Sequence, residues 1–442
     1  MNNWPTEFTK RIRHQFADYE DFMAGMDAEP VTAVRHNPAK QATPTFTEGE
    51  AVRWCKAGRF LKERPVFALD PLWHAGAYYV QEASSMFLEQ AFGMIPAEHP
   101  RLLLDLCAAP GGKSTHLASR MRPDDMLVSN DTIHSRIAPL AENMLKWGHP
   151  ATLVTNDSAA GFARAGVLFD VIAVDAPCSG EGLFRRTPDA AMEWSPANAA
   201  LCAARQRRIL TEIWPCLKSG GFLIYSTCTF NPAENEENLA WLGTQTTFES
   251  CRIPIATEWG VEETEYKGIY CYQFLPHRVR GEGFFLSLLH KTAGTDITPR
   301  RCRTQLQRAS PPIWIDAPDR YVFFKQHDAV RFIPSTWLHE FLRLSESIRV
   351  VRAGTEAGQQ AGRELAPSHA AAMSQALCRD AFPTTALSLP SALKYLARET
   401  PELPPSKGWN IATFQNIPLG FIKHIGARAN NYYPQNLRLR KT

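Results

Sequence analysis

The chain has 442 residues and a formal net charge of +3, from 48 Lys and Arg against 45 Asp and Glu. This length predicts two or three domains, and a content of 44% hydrophobic and 21% charged residues excludes a disordered or fibrous protein. The balanced charge excludes a histone-like or polybasic-tail protein, although it leaves room for a local basic patch.

The ten cysteines are spread too widely for a disulfide framework, and no two of them form a CxxC pair, so we expect no metal site. The first residues lack an apolar h-region, and no apolar run reaches the roughly 18 residues of a membrane helix. We therefore expect a reduced, cytoplasmic protein without a membrane segment, in which some thiols could react.

Residues 1–95 are predicted to form an N-terminal α+β RNA-binding segment. A helix is expected from Phe8 to Met26, where apolar residues recur every three or four positions. Basic and aromatic residues then alternate, a combination that suits phosphate pairing and base stacking. A mixed domain with a solvated basic face explains the same composition at least as well. The residues concerned are Arg35, Lys40, Arg53, Lys56, Arg59, Lys62 and Arg64, with Phe60, Phe67, Trp73, Tyr78 and Tyr79.

Residues 96–293 are predicted to form an α/β domain around a parallel sheet. Short apolar runs alternate with amphipathic stretches, as in strands that helices cover on both faces. Ligands of such sheets bind beyond the carboxyl ends of the strands, where each run here has an Asp or a Cys. The runs are RLLLDLCA, MLVSND, ATLVTND, FDVIAVDAPC and GFLIYSTCTF, and QFLPHRVR with GEGFFLSLLHK is expected to be a closing strand pair.

A Pro-Gly-Gly turn follows the first strand, in LDLCAAPGGKSTHL. Glycines let the backbone approach a ligand closely, and a helix start favours negative or carbonyl-like groups. A phosphate-binding G-x-x-x-x-G-K-[ST] loop is excluded, because Cys107 stands where its first glycine would be. The dinucleotide motif G-x-G-x-x-G is absent too, which leaves a nucleotide-like ligand on a nonstandard glycine loop.

The acids after the next strands indicate which ligand this is. Asp131 follows Asp105 at about the separation of an acid that accepts hydrogen bonds from ribose hydroxyls. Asp157 ends the third strand, a position suited to an adenine edge. A helix N-cap explains any one such Asp, but three in register favour a ligand. An adenosine ligand without a phosphate anchor indicates S-adenosylmethionine.

Two cysteines follow the fourth and fifth strands, in the sequences DAPCSG and STC. In a doubly wound sheet these strand ends are adjacent, so Cys178 and Cys228 are expected to flank one pocket with Asp175 between them. This shared location beside the cofactor favours reactive thiols. Most other cysteines are buried apolar residues, an interpretation accepted here for Cys202, Cys216 and Cys271.

The rest of the chain is predicted to be a linker, residues 294–312, and a C-terminal RNA-binding region, residues 313–442. The linker is polar, basic and bounded by prolines. In the C-terminal region RYVFFKQHDAVRFIP predicts two strands around a turn, a short helix is expected near Ser391 to Glu399, and short strands follow. No acid occurs after Glu402, whereas the basic residues of the tail are Lys423, Arg428, Arg438, Arg440 and Lys441.

Two thiols and a carboxyl suit methyl transfer to C5 of cytosine. That carbon becomes nucleophilic enough only when a thiolate adds to C6 and turns the ring into an enamine. A carboxyl near N3 supports the electron shift, and a base must remove the C5 proton so that the thiol is eliminated. Methylation of an amino group would instead use a D/N-P-P-Y loop, where this chain has DAPC. The spacing leaves open which thiol attacks.

Several motifs of the chain resemble the bacterial RNA (cytosine-5) methyltransferase family, and within it the RsmF group of ribosomal RNA enzymes. They are LDLCAAPGGK, VDAPCSGEG, YSTCTFNPAENE and GEGFF, with VRHNPAK, YYVQEASSM and FQNIPLGFIKHIGARANNYYP outside the catalytic domain. The resemblance covers nearly the whole chain. It implies a Rossmann-like S-adenosylmethionine-dependent methyltransferase domain, with an N-terminal segment and a C-terminal PUA-like domain that dock structured RNA.

The resemblance also implies a role for each residue of the site. Cys228 would be the nucleophile, Cys178 would assist release of the methylated base, and Asp175 would contact base and cofactor. Asp131 departs from relatives, which often carry Glu, but the shorter acid can still accept ribose hydroxyls. The residues expected to hold S-adenosylmethionine are Cys107, Ala108, Ala109, Pro110, Gly111, Gly112, Lys113, Asp131, Asp157 and Asp175.

The expected function is methyl transfer from S-adenosylmethionine to C5 of a cytosine in ribosomal RNA, of the 16S type, through a Cys–C6 adduct. The expected partner is 16S rRNA or the small ribosomal subunit, and nothing demands more than a monomer. A transfer RNA enzyme with the same chemistry and a non-catalytic RNA-binding assembly factor are the alternatives. The presence of both thiols argues against the second, since a binding factor has no chemical need of them.

Overall fold

The structure is a computed structural model that describes residues 4–44, 46–294, 302–362, 364–401, 403, 406–426 and 428–440. Residues 295–301 of the predicted linker and Lys441 of the predicted basic tail lie outside these ranges. No helix in the described ranges is long and apolar enough to cross a lipid bilayer.

The N-terminal segment is a small α+β unit with a four-stranded antiparallel sheet of order β2-β3-β1-β4. The single helix predicted from Phe8 to Met26 is wrong, because the backbone is extended at Phe16 and two helices result. The elements are α1 (Thr6–Gln15), α2 (Tyr19–Asp27), β1 (Ala33–His36), β2 (Glu48–Ala51), β3 (Gly58–Leu61), α3 (Pro71–His74), β4 (Tyr78–Val80) and α4 (Leu88–Gly93).

The catalytic domain contains the five predicted strands, which pair in parallel in the order β9-β8-β5-β6-β7. Helices cover both faces, so the strands that begin at Leu102, Met126, Thr152 and Phe169 are buried along almost their whole length. The elements are β5 (Leu102–Asp105), α5 (Gly112–Arg120), β6 (Met126–Asn130), α6 (His134–Trp147), β7 (Thr152–Thr155), α7 (Ala159–Ala165), β8 (Phe169–Asp175), α8 (Pro188–Glu193), α9 (Pro196–Ile213), β9 (Leu217–Thr227), α10 (Glu236–Gln245), β10 (Glu249–Ser250), β11 (Glu262–Tyr266), β12 (Ile269–Phe274) and β13 (Phe284–His290).

The closing strand pair is β12 and β13, which are antiparallel, with Tyr272 opposite Leu286. β13 in turn pairs with β9. The predicted strand QFLPHRVR is wrong beyond Phe274, because the amides of Arg278 and Val279 both turn back to the carbonyl of Leu275.

The C-terminal region adds two four-stranded sheets, of order β14-β15-β17-β18 and β19-β20-β21-β22. The predicted strand pair is β14 and β15, and the helix expected near Ser391 is α13. The elements are β14 (Tyr321–Gln326), β15 (Ala329–Pro334), α11 (Leu338–Ser347), β16 (Val350–Arg352), β17 (Thr355–Ala361), β18 (Glu364–Pro367), α12 (His369–Met373), β19 (Thr384–Ala386), α13 (Leu389–Leu396), β20 (Gly408–Phe414), β21 (Ile417–Ile425) and β22 (Arg428–Asn431).

One strand of the C-terminal region belongs to the catalytic sheet. β16 pairs antiparallel with β7, with Val350 opposite Thr155. The sheet therefore runs β11-β12-β13-β9-β8-β5-β6-β7-β16 in the described residues, and β10 pairs with β13 beside it. Residues 350–352 fall inside the range predicted for RNA binding, yet they complete the edge of the catalytic domain.

Two of the basic residues predicted to face RNA are buried between domains. Arg35 is 0% exposed, donates to Gln81 Oε1 and Thr115 Oγ1 at 2.8 and 2.7 Å, and lies over the Trp147 ring. Lys40 Nζ donates to backbone carbonyls of Ala75 and Lys146. The aromatic side chains of Phe60 and Tyr78 are buried as well. For these four residues the RNA-facing interpretation is wrong, because packing between domains removes them from the surface.

Candidate active site

The carboxyl ends of β8 and β9 bring the two predicted thiols together. The strands are parallel neighbours, with Asp175 opposite Ser226. Beyond these residues the chains turn toward each other, and Sγ of Cys178 lies 3.2 Å from Sγ of Cys228. Both cysteines are partly buried, so the pair is largely shielded from bulk water but keeps some exposed surface.

Cys178 is held as a neutral thiol. Its contact with Cys228, its burial and the nearby Glu234 carboxyl all raise the pKa of Cys178 far above the usual value. The backbone amide of Cys228 donates to Sγ of Cys178 at 3.4 Å, which lowers the pKa but does not outweigh the other contributions. The pair can therefore carry one proton on Cys178 and direct it at the other sulfur.

Asp175 is tied to the predicted cofactor loop by Lys113. The Lys113 Nζ lies 2.8 Å from Asp175 Oδ2, while Ser226 Oγ donates to Oδ1 at 2.9 Å. Burial opposes a charge on Lys113, but the adjacent Asp175 carboxylate outweighs it and raises the pKa of Lys113. The loop after β5 and the end of β8 are thus joined by an ion pair.

Glu234 holds the two thiol loops in place. Its buried carboxylate accepts from the Ser179 amide and hydroxyl, at 2.8 and 2.5 Å, and from Thr229 Oγ1 at 3.3 Å. Ser179 follows Cys178 and Thr229 follows Cys228, so one carboxylate fixes both. Sequence reasoning assigned no role to this acid, although its position just after the second thiol, in NPAENE, was a signal that could have identified it.

A second buried acid connects the thiol loops to the N-terminal segment. Glu181 accepts from the Phe230 amide at 3.2 Å and from Trp194 Nε1 at 3.1 Å. Its Oε2 also forms an ion pair at 2.5 Å with Arg11 of α1. Helix α1 is amphipathic, and its buried residue Phe8 packs against Phe184, which brings Arg11 to this position. Arg11 and Glu181 were not among the predicted site residues.

A cavity of about 180 Å³ lies beside Asp175, and two parts of the chain line it. The predicted cofactor loop forms one side, and β4 with the segment that follows it forms the other. The sequence analysis named Tyr79 for base stacking and the motif YYVQEASSM for a family resemblance, but assigned no residue of this segment to the cofactor. The lining residues are Cys107, Ala108, Ala109, Pro110, Gly112, Lys113 and Asp175, with Tyr79, Val80, Gln81, Glu82 and Ser85.

The backbone conformation of the loop explains why its turn contains glycine. Gly111 has φ +115°, a conformation that side chains disfavour, and α5 begins at the next residue. The neighbouring amide of Ala109 donates to Asp131 Oδ2 at 3.2 Å, and Asn143 Nδ2 donates to the Pro110 carbonyl at 2.8 Å. The loop is therefore fixed from β6 and α6 before any ligand binds.

Asp131 and Asp157 do not line the cavity, although they end the neighbouring strands as predicted. Asp131 Oδ1 accepts from the Ile133 amide, and Asp157 Oδ1 accepts from the Ser158 amide, at 2.9 and 2.8 Å. Both carboxylates therefore bond the backbone that follows them, but neither is a helix N-cap, because α6 and α7 have Ile133 and Ser158 at that position. Asp131 Oδ2 also pairs with Arg136 at 3.3 Å, and Asp157 Oδ1 also accepts from the Ser158 hydroxyl at 3.4 Å, so a ligand would share these carboxylates with protein donors.

Asp105 was not among the predicted site residues, although it ends β5. It is 1% exposed, and its Oδ2 accepts from Ser114 Oγ at 2.7 Å. Its buried Oδ1 has no hydrogen-bond partner among the described residues. Burial raises the pKa of Asp105 to about 7. An unpaired acceptor, strand-end acids and a glycine turn together fit S-adenosylmethionine, which carries an ammonium group and ribose hydroxyls.

Cys55, Glu89 and His116 converge between the N-terminal segment and α5. Glu89 Oε2 lies 3.2 Å from Cys55 Sγ and 3.1 Å from His116 Nε2. Burial lowers the pKa of His116 to about 4, and the positive charge of Arg35 acts in the same direction. This buried cluster is sufficiently explained as a hydrogen-bonded contact between domains, and a metal is not needed.

Comparison with known proteins places these features in a family. Family models described as "N-terminal domain of 16S rRNA methyltransferase RsmF", "16S rRNA methyltransferase RsmB/F" and "Methyltransferase RsmF PUA domain" match residues 4–83, 92–290 and 382–439. The chain is 31% identical over 471 aligned positions to ribosomal RNA small subunit methyltransferase F of Salmonella heidelberg (strain SL476), covering 98% of this chain and 96% of that protein. The homologue of Salmonella paratyphi A (strain ATCC 9150 / SARB42) is 30% identical with the same coverage.

Solved structures support the fold of the catalytic domain. The crystal structure of PH0851 matches with a TM-score of 0.57 and 23% identity, over 65% of this chain and 66% of that one. The structure of NSun6 from Pyrococcus horikoshii with SFG matches with a TM-score of 0.55 and 18% identity, over 66% and 99%. These matches confirm the predicted Rossmann-like domain, and the family models confirm the flanking domains and S-adenosylmethionine as the methyl donor. The chain belongs to the RsmB/F family of 16S rRNA methyltransferases and has the N-terminal and PUA domains of RsmF.

Proposed function

We propose that this protein transfers a methyl group to C5 of a cytosine in ribosomal RNA of the small subunit, through a covalent bond between Cys228 and C6 of the base. One observation carries the proposal: the 3.2 Å contact between the Cys178 and Cys228 sulfur atoms at the strand ends beside Asp175. Family membership supports ribosomal RNA as the substrate class. Two thiols at one site support the choice of C5, because methylation of an amino group needs neither.

The roles of the two thiols follow from which of them carries a proton. Cys178 keeps its proton because its pKa is raised, so its S–H group can donate a hydrogen bond to a thiolate on Cys228. Cys228 then adds to C6, and the electrons of the C5–C6 double bond move toward N3 and make C5 nucleophilic. S-adenosylmethionine, when bound, supplies the methyl group to this carbon.

Release of the base requires loss of the C5 proton. As the C5–H bond breaks, its electrons re-form the C5–C6 double bond and expel the Cys228 thiolate. We assign acceptance of this proton to the Cys178 sulfur after its own proton has passed to solvent, because the thiolate of a thiol with a raised pKa is a strong base. Its place beside Cys228 Sγ puts it next to the bond that must break.

Asp175 is assigned to both base and cofactor. It lines the cavity of the cofactor loop and precedes Cys178 by three residues, and its side chain is 34% exposed. When it carries a proton, a carboxyl there can pass that proton to N3 as the electrons arrive and take it back when the base is released, while Lys113 orients it. The cofactor itself is assigned to the loop Cys107–Lys113 together with Asp131 and Asp157.

The remaining proposals concern the partner and the surroundings of the reaction. We assign docking of structured RNA to the N-terminal segment and the PUA domain, in a monomer that acts in the bacterial cytoplasm on 16S rRNA or the small subunit. Of the alternatives, a transfer RNA enzyme would use the same site on another RNA. A non-catalytic assembly factor would leave both thiols and the Glu234 network without a purpose.

Cysteine variants test the proposal directly. Cys228→Ala is expected to abolish transfer of radiolabelled methyl into RNA from cells that lack the protein. Cys178→Ala is expected to leave a protein–RNA adduct that survives denaturing gels, since the base can bind but is not released. Cys202→Ala, on α9, serves as the control and should transfer methyl normally.

Two outcomes contradict parts of the proposal, and one further experiment identifies the RNA. An adduct formed by Cys228→Ala would reverse the assignment of the two thiols. Absence of methyl transfer with every RNA tested would favour the assembly factor. Bisulfite sequencing of ribosomal and transfer RNA, with and without the gene, decides between the two RNA substrates, because only the true target loses its modified cytosine.

A further inference from the structure

A second cavity, of about 690 Å³, lies where the C-terminal region packs against α6. The helix contributes Ala138, Ala141, Glu142 and Leu145, which form a different face from the one that contacts the cofactor loop through Asn143. The two C-terminal sheets close the other sides. The cavity is therefore bounded by the methyltransferase domain with its edge strand β16, the β14-β15-β17-β18 sheet and the PUA domain, and none of its lining residues belongs to the site of the thiols.

The cavity contains a buried cation with an unused donor. Arg352 is 8% exposed, and its Nη1 is buried without a hydrogen-bond partner in the described part of the chain. Nε of the neighbouring Arg331 is buried without a partner as well, within the same described ranges. Leaving a charged donor buried and unpaired is costly, so such groups normally face a ligand or a counter-ion.

The two carboxylates that line this cavity each form an ion pair with a cation other than Arg352. Glu356 Oε2 pairs with Arg331 Nη2 at 2.8 Å, and Glu142 pairs with Lys146 one turn along α6. Burial and the charge of Arg331 lower the pKa of Arg352 to about 10, the charge of Glu356 opposes them only in part, and the side chain is still a cation at neutral pH. One positive charge therefore remains in excess, and it calls for an anion.

Two further side chains indicate more than a bare anion. Both ring nitrogens of His369 are buried without a partner among the described residues, and burial lowers the pKa of this ring to about 3. A neutral imidazole offers one donor and one acceptor to a polar ligand. The ring of Tyr432, 43% exposed, lies at the edge of the cavity and is steadied by an edge contact with Trp409. Aromatic faces of this kind stack bases.

We propose that this cavity binds a phosphorylated nucleotide, with its phosphate on Arg352 and its base against Tyr432. A nucleotide unit of a bound RNA and a free mononucleotide present the same chemistry, and the volume suits either. The binding itself is independent of methyl transfer. Only the assignment to an RNA unit rests on the proposed function.

Binding of adenosine 5′-monophosphate and of inorganic phosphate to the full chain, measured by equilibrium dialysis without S-adenosylmethionine, tests the proposal. Arg352→Met should weaken the binding of both probes by roughly tenfold or more, because it removes a charged hydrogen-bond donor. Tyr432→Ala should weaken only the nucleotide, again by roughly tenfold, because phosphate has no base to stack. Arg343→Met, on α11 outside the cavity, is the matched control and should bind as the unaltered protein does.

A photoreactive 8-azido derivative of the nucleotide keeps the test valid if Arg352→Met fails to fold. Peptide mapping of the labelled, unaltered protein should place the label in the 432–437 segment. If the unaltered protein binds neither probe at millimolar concentration, or if Arg352→Met binds both unchanged, the proposal is overturned. Labelling elsewhere overturns it too.

Measuring the affinity for a ribosomal RNA fragment distinguishes a nucleotide unit of bound RNA from a free mononucleotide as the natural ligand. A loss of RNA affinity in both cavity variants, with the mononucleotide competing against RNA, assigns the site to an RNA unit. Unchanged RNA affinity beside weakened mononucleotide binding assigns it to a free nucleotide. Methyl transfer by Cys228 is measured separately, so failure of the catalytic proposal and failure of this one give different results.

Discussion

At the scale of the residue, location decides what each cysteine of this protein can do. Cys216 and Cys271 lie in the core of the sheet, and burial raises the pKa of Cys216 to about 12. Cys178 and Cys228 are partly buried at strand ends, where loops can open toward a substrate. Reasoning from the strand pattern separated these two pairs, because the distinction depends on where strands end.

Asp105→Asn is expected to change how the stability of the protein depends on pH. Burial raises the pKa of Asp105 from 3.8 to about 7, so the folded protein keeps a proton that the unfolded chain loses near pH 4. The folded state therefore binds more protons in this window. The contribution of Asp105 is full below about pH 4 and is lost as the pH rises through about 7, by roughly 4 kcal/mol.

Urea unfolding between about pH 4 and pH 8 measures this effect. Asparagine does not titrate, so the Asp105→Asn protein should lack this part of the decline in unfolding free energy. Asp189→Asn, at an exposed position of α8, is the control and should keep the slope of the unaltered protein. If Asp105→Asn kept that slope as well, the buried carboxyl would not hold the proton.

At the scale of the element, a close crossing of two loops supports the thiols. The amide of Gly283, just before β13, donates to the carbonyl of Gly182 at 3.1 Å, and the amide of Gly182 donates to the Cys228 carbonyl at 2.9 Å. A Cβ atom on Gly283 would lie 2.3 Å from the Phe230 ring and 2.6 Å from Gly182 Cα. The motifs CSGEG and GEGFF therefore need glycine where they meet.

Gly283→Ala is expected to lower the free energy of unfolding by about 1–3 kcal/mol, because the added methyl group has no space. Movement of Phe230 would also displace the loop of Cys228, so methyl transfer should fall more than the affinity for S-adenosylmethionine. Chemical unfolding, calorimetry and radiolabel transfer measure the three quantities.

Gly243→Ala is the matched control, since its Cβ would make only ordinary contact, at 3.6 Å from Phe248, within α10. It should stabilise the helix by up to about 1 kcal/mol. Equal effects of the two substitutions would show that the crossing is looser than the structure indicates.

A physical difference separates the elements that the sequence predicted from those that it did not predict. Long apolar runs predicted the five parallel strands, because strands covered on both faces need them. The predicted N-terminal helix was too long, because buried Phe16 and Phe22 continue the apolar pattern across the break between α1 and α2. β16 was missed because Val350 and its two neighbours are too few to form a pattern.

The site was predictable only in part, for a similar reason. The strand ends indicated Cys178, Cys228 and Asp175, since topology alone places such residues together. The contribution of Gln81 to the cofactor cavity and of Arg11 to the Glu181 pair depends on how the N-terminal segment packs on the sheet. No local pattern encodes that packing.

At the scale of the whole molecule, the N-terminal segment is joined to the proposed cofactor site through Arg35. This buried cation donates to Gln81, which lines the cofactor cavity, and to Thr115 of α5. Arg35→Met should cost about 3 kcal/mol of unfolding free energy, because it leaves buried acceptors unpaired. It should also weaken binding of S-adenosylmethionine, measured by calorimetry, because Gln81 is no longer held.

Arg59→Met provides the comparison for Arg35→Met. Arg59 lies at the surface of the same segment, with its Nε 3.9 Å from Glu48 Oε2, so its loss should cost less than about 1 kcal/mol. If Arg35→Met bound the cofactor as tightly as Arg59→Met does, the segment would dock without influencing the methyl-donor site. The near-neutral charge of the whole chain thus does not distinguish two kinds of cation. Some are buried between domains, and others lie at the surface.

The pairing of β16 with β7 has a consequence for how the protein is made. Thr155 is synthesised long before Val350, its partner in the sheet. Until the later strand leaves the ribosome, the nascent chain carries every strand with a thiol or a cofactor acid, yet the outer edge of β7 is open. An open edge offers unpaired amides and carbonyls to any strand nearby, including another copy on the same polysome. The β7 edge of the catalytic sheet is therefore covered late in translation, by residues that follow the catalytic domain in the sequence.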